Sequence, residues 1–201
     1  MLFPAPNRQA RLSFIARLRA LHWTVAALVI ITAPIGFIMV DREDHKFADG
    51  VSEAEKAAFG ATTDQMFSAH KLIGVIILTL MIARWIYRLT HGAPRSVPTI
   101  AGWQKGLSHA VHWSLYLLLL MVPIGGYLGI AYGGYLDVFG IHLPGFGIAK
   151  DDKFSELLFK WHGWGATVIL GLVALHLAGA MYHTFVADDG VLQRMWPRSK
   201  G

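Results

Sequence analysis

Apolar residues crowd into four long runs, at about 21–40, 67–90, 107–131 and 156–187, with polar stretches between them. Each run is near the roughly 20 residues that a helix needs to cross the hydrocarbon of a bilayer. The pattern predicts one all-α membrane domain, 1–201, of four transmembrane helices and no separate soluble domain. Ahead of the first run, arginines alternate with Leu12, Phe14, Ile15 and Leu18, as in a short amphipathic segment lying on a membrane face. The run that follows is too long for a signal-peptide core and ends in no A-x-A site. Between runs, 41–66 is long and acidic. Its Ser52 and Glu55 have capping-box spacing and predict a short helix through about Phe59. The connection 91–105, with Pro94, Pro98 and Gly102, predicts a short loop, and 131–153 is rich in glycine and aromatics.

Composition agrees with a membrane protein. Only 15% of residues are charged, against about 25% in soluble domains, and the mean hydropathy is +0.45. The net charge of +5 does not point to nucleic acid, because of where the charges fall. Arg8, Arg11, Arg17 and Arg19 precede the first run without an acid, and Arg88, Arg95 and Lys105 flank the second connection. The first connection instead carries Asp41, Glu43, Asp44, Asp49, Glu53, Glu55 and Asp64 against Arg42, Lys46 and Lys56. This is the positive-inside distribution, and it predicts both termini in the cytoplasm. The absence of cysteine excludes disulfides, cysteine-held iron–sulfur clusters, thiolate-ligated haem and covalent haem attachment.

Histidines inside the apolar runs carry the chemistry, since an ionisable residue in lipid is a functional-site hypothesis by default. His162 and His176 are fourteen residues apart in the last run, and His183 follows one heptad later. Fourteen residues make nearly four turns and rise about 21 Å, so these histidines share one stripe at two depths. Gly165, Ala166, Ile169, Val173 and Ala180 lie on the same stripe and leave room beside it for something flat and large. In the first run His22 is near the cytoplasmic start, with Gly36 fourteen residues on. The second run begins with His70, Lys71 and Gly74 and returns at Arg84. The third opens with His109 and His112 and reaches Gly126 beside Pro123, Gly125 and Gly129. Alternating topology then sorts the candidates by depth. The outer level holds His70 and His162, which pair across the bundle to clamp one iron. The inner level holds His176 with His22, His109 or His112, and spacing does not choose among the three. Two b-type haems enclosed by a four-helix bundle account for this arrangement, each with both axial positions filled. Zinc fits less well, since neither level offers a carboxylate and a structural zinc needs four ligands. Arg84 either meets a haem propionate or snorkels to the lipid surface. His45 reads as a solvated loop residue and His142 as structural.

Seven stretches together resemble the bacterial cytochrome b561 family of dihaem membrane proteins: RALHW at 19–23, HKLIG at 70–74, RWIYRLTH at 84–91, SHAVHWSLY at 108–116, WHGWGA at 161–166, ALHLAGAMYH at 174–183 and DDGVLQRMWP at 188–197. They cover nearly the whole chain in the family's order. The resemblance implies that His22 and His176 ligate the inner haem iron, and His70 and His162 the outer. It also implies a bacterial inner-membrane location and, from one family activity, transfer of an electron from superoxide to ubiquinone. The acidic stretch 41–66 and the segment AYGGYLDVFGIHLPGF depart from the family on the outer face, where the donor arrives. Three functions follow as expectations. In the first, an outer donor, superoxide, reduces ubiquinone through two haems. Lys71 and Lys160 would attract an anionic substrate, and His183, His109 and His112 would contact quinone or propionate. In the second, the chain is an electron-transfer subunit between the quinone pool and a partner protein, a basic partner docking on the acidic stretch. The third, a histidine-lined metal or proton transporter, carries no redox cofactor.

Overall fold

The computed structural model describes residues 8–46, 52–92 and 101–195. Four long helices dominate it: α1 (Arg8–Lys46), α2 (Glu53–His91), α3 (Gly102–Gly133) and α4 (Asp152–Phe185). Each is long and apolar enough to cross a bilayer. Many of their large apolar side chains are exposed, among them Ile30, Phe37, Ile82, Ile86, Leu117, Trp161 and Leu177. A water-soluble bundle would bury such residues; here they form the surface, which suits lipid as the surrounding solvent.

The helices overrun the apolar runs. At 39 residues, α1 and α2 extend to about 58 Å, nearly twice the hydrocarbon thickness of about 30 Å. The predicted amphipathic segment before the first span is therefore continuous with α1 from Arg8. Ser52 and Glu55 do form a capping box, with Glu55 N–H donating to Ser52 Oγ and Ser52 N–H donating to Glu55 Oε2. They open α2 itself, however, and not the separate short helix expected through Phe59. No proline lies between 53 and 67, and Gly60 is the single glycine there, so once nucleated the helix propagates into the apolar run. Likewise α3 begins at Gly102, ahead of the predicted start. Asp49, Pro94, Arg95 and Pro98 lie outside the described residues, as does the side chain of His45.

Neighbours in sequence lie side by side: α1 along α2, α2 along α3, α3 along α4. The α3–α4 contact is the closest. A methyl group at Gly126 would meet His162, at Gly129 the Phe159 ring, at Gly133 Ser155, and at Gly165 Val122. Ser155 Oγ donates to the Gly129 carbonyl at 2.8 Å in that seam. Small residues let helix backbones approach where no hydrophobic drive operates between them.

The α3–α4 connection holds a two-stranded antiparallel hairpin absent from the sequence reading, β1 (Asp137–Val138) and β2 (Ile141–His142). Phe139 and Gly140 turn it with φ of 48° and 80°, the positive values that two-residue hairpin turns require. His142 Nδ1 donates to Asp137 Oδ1 across the strands at 3.1 Å. After α4 a short 3-10 turn, Leu192–Arg194, folds back. Trp23 Nε1 donates to the Met195 carbonyl at 2.8 Å and fastens this tail to α1.

Candidate functional site: two levels of facing histidines

Four positions mark the middle of the bundle, one per helix: Val29, Ile77, Leu119 and Ile169. Each lies seven residues, about two turns, from the histidine or glycine levels on its own helix. Val29, Ile77 and Ile169 are buried with Val25, Met81 and Tyr116, and Leu119 packs against them. This dry layer separates two clusters of imidazoles.

On one side His70 of α2 faces His162 of α4, with ring centres 5.8 Å apart and planes at 78°. Both rings are half-buried. His70 Nδ1 lies 3.2 Å from the Thr32 carbonyl and 3.2 Å from Thr32 Oγ1. His162 Nδ1 lies 2.8 Å from the Val122 carbonyl. A carbonyl oxygen can only accept, so each Nδ1 carries the proton and each Nε2 keeps its lone pair. Ligating histidines are commonly fixed in this way.

On the other side His22 of α1 faces His176 of α4 at 6.2 Å and 74°. A third ring, His112 of α3, lies 5.0 Å from His176, with Nδ1 donating to the Ser108 carbonyl of its own helix at 2.6 Å. His109, one turn earlier, is exposed. Arg84 reaches this level, as its spacing from His70 predicts. It is half-buried, its Nε donates to Tyr116 Oη at 2.8 Å, and its Nη1 lies 3.4 Å from His22 Nδ1. Arg88 stacks over Trp113 and Tyr116.

The geometry can be tested against a metal held between two imidazoles. Two bonds of about 2.0 Å, plus about 1.1 Å from each nitrogen to its ring centre, separate the centres by about 6.2 Å. The His70–His162 and His22–His176 pairs match that separation. His112–His176 is about 1 Å too close. Among the described residues no three His, Asp or Glu side chains converge on one point, so each pair supplies two ligands and a macrocycle would have to supply the rest.

Residues 14–198 match the family described as Prokaryotic cytochrome b561. The chain belongs to that family. It is 30% identical over 185 residues to the probable superoxide oxidase CybB of Yersinia pestis, covering 90% of this chain and 94% of that protein. It is 29% identical to cytochrome b561 homolog 1 of Escherichia coli (strain K12), over 67% of this chain and 77% of the relative. Against homolog 2 of the same strain it is 29% identical, over 65% and 70%. Membership makes this a multi-pass bacterial membrane protein of the b-type cytochromes, whose work is electron transfer and whose cofactor is b-type haem.

The remaining candidates lie at the periphery. Lys71 Nζ donates to the Tyr135 and Asp137 carbonyls at 2.8 and 3.1 Å and tethers the hairpin. Lys160 is exposed. His183 Nδ1 donates to Asp189 Oδ2 at 2.6 Å, the pair 16% and 11% exposed. Burial pushes the Asp189 carboxyl up, but its bonds from His183 and the Val191 N–H hold it below the ordinary aspartate value. Thr32, Val122, Tyr116, Arg88 and Asp189 were not singled out as site residues from the sequence, where Arg88 counted only among the topology-setting charges. Asp189 alone had a signal there, as a carboxylate six residues after His183.

Proposed function

We propose that each histidine pair holds one b-type haem, His70 with His162 at the periplasmic level and His22 with His176 at the cytoplasmic level. The protein then carries electrons from superoxide on the outer side to ubiquinone in the membrane, with both termini in the cytoplasm. The observation that carries this reading is the two facing imidazole pairs at metal-spanning separation, on either side of an apolar layer. The similarity to a probable superoxide oxidase over nearly the full length favours the same donor.

Each haem, when bound, supplies a one-electron couple. The chain does the rest. Thr32 and Val122 hold the outer imidazoles with Nε2 free. For His22 to offer Nε2, its ring proton must sit on Nδ1 and meet an acceptor there, so Arg84, which can only donate, must turn away. That contact is 3.4 Å long and weak, so it yields easily and leaves the guanidinium for a propionate. The layer of Val29, Ile77, Leu119 and Ile169 excludes water between the levels. Lys71 and Lys160 place fixed positive charge near the outer level and raise the local concentration of an anionic donor. His183, with its Nδ1–H given to Asp189, presents an Nε2 lone pair that accepts from the hydroxyl of the quinol formed.

Haem counting by pyridine haemochrome on purified wild type, His70→Ala and His176→Ala tests the ligands: two haems are expected in the first, one in each variant. Superoxide added to wild type with ubiquinone tests the donor. Rapid haem reduction followed by ubiquinol formation is expected. Haem that is reduced only when a partner protein is supplied would replace superoxide with that partner and make the chain an electron-transfer subunit.

A further inference from the structure

His70 and His162 are each met from the opposite helix by the same two features, one turn apart. On α1 these are the Thr32 carbonyl, against His70 Nδ1, and Gly36, four residues on. On α3 they are the Val122 carbonyl, against His162 Nδ1, and Gly126, again four residues on. Residues four apart lie one above the other on a helix surface, so the glycine leaves bare backbone beside the carbonyl. A methyl group at Gly36 would stand 2.9 Å from His70 Cε1 and 3.3 Å from its Nδ1. At Gly126 it would stand 2.8 Å from His162 Nδ1 and 2.9 Å from its Cε1. Non-bonded carbons rest at about 3.5–4.0 Å, so neither ring could keep its place. The other level is built differently, for there His22 meets a guanidinium and His112 is held by its own helix.

We propose that Gly36 and Gly126 are paired positioning residues for the outer cofactor. They are seats on α1 and α3 that let a backbone carbonyl reach Nδ1 and so aim both Nε2 lone pairs at one shared metal. The proposal rests on the reading of His70 and His162 as axial ligands. It makes the outer site the work of all four helices: α2 and α4 supply the imidazoles, and α1 and α3 fix their tautomer and tilt. An imidazole free to turn gives way to an added methyl at little cost, whereas one bonded to iron does not. Substitution therefore acts on the loaded protein and leaves the fold alone.

The test compares Gly36→Ala and Gly126→Ala with Gly125→Ala and Gly171→Ala, at which an added methyl meets nothing within 4 Å. Haem affinity is read from haem-to-protein stoichiometry during extraction, ligand geometry from the low-spin electron paramagnetic resonance signals, and fold from far-UV circular dichroism. Affinity at the outer level is expected to fall about ten- to a hundred-fold, the range for partners that orient a ligand. The outer resonance should shift or vanish, while the inner haem, the helix signal and both controls stay as wild type. Retention of both haems as tightly as in the controls overturns the proposal. So does loss of both haems together with helix content. His70→Ala separates the two ideas. If it keeps the full haem complement, the ligand reading fails. If it loses one haem while Gly36→Ala loses none, only the seat fails.

Discussion

Gly165→Ala tests how tightly the α3–α4 seam is set. A methyl at Gly165 would lie 2.5 Å from Val122 Cγ2, and relaxing this to van der Waals distance, about 3.5–4.0 Å, means parting the pair by about 1 Å or more. Val122 is β-branched and held near one rotamer in a helix, so its methyl cannot swing aside and the backbone must move. The Val122 carbonyl accepts from His162 at 2.8 Å. Moving it about 1 Å takes that contact past the roughly 3.2 Å limit of a sound N–H···O bond. Overpacking of this kind costs about 1–3 kcal/mol, offset by the roughly 1 kcal/mol that alanine gains over glycine in a helix. Gly163→Ala, two residues earlier, meets nothing within 4 Å and keeps only the gain. The two variants should therefore differ by about 1–3 kcal/mol, with Gly163→Ala at or above wild type. Denaturant or thermal unfolding in detergent micelles, followed by circular dichroism, measures the difference. Equal stability of the two variants would refute the close approach of α3 and α4 as the reason for glycine at 165.

Two further outcomes follow from the charged groups. Arg84→Gln removes a half-buried cation that has no carboxylate partner among the described residues. A cation favours the reduced, more negative state of a nearby haem, so with a haem in each histidine pair as proposed, the midpoint potential at the His22–His176 level should fall by tens of millivolts while the other stays put. A potentiometric titration showing no change, or the larger change at the outer haem, contradicts this. Asp189, held below its ordinary value when folded, contributes stability that is present above the unfolded aspartate value of about 3.9 and is lost as pH falls through the folded one. Amides of 191–195 should lose protection from hydrogen exchange relative to those of α4 under such acid conditions, and at neutral pH in Asp189→Asn; unchanged protection in that variant argues against the latch.

The four spans could be read from the chain because the bilayer imposes a one-dimensional constraint: enough consecutive apolar residues, whatever their neighbours. Depth was legible for the same reason. Fourteen residues from His162 to His176 fix a rise along the helix before any partner is known, and the level of Arg84 follows from His70 in the same way. Family resemblance supplied the pairing of His22 with His176, which spacing had left open among three histidines.

Tertiary structure decided what lies across the helices. Packing brought His112 to His176 and left His109 exposed, although both begin α3 on one face. It also showed that the capping box at Ser52 starts a span and not a short helix, since continuation depends on what the helix leads into. The partners of His70 and His162 are main-chain carbonyls, and every residue has the same carbonyl, so no residue type advertises them. Only the closeness of α1 to α2 and of α3 to α4 makes Thr32 and Val122 different from their neighbours. Sequence sets position along each helix axis, whereas rotation and approach between helices arise from contacts distributed over many side chains.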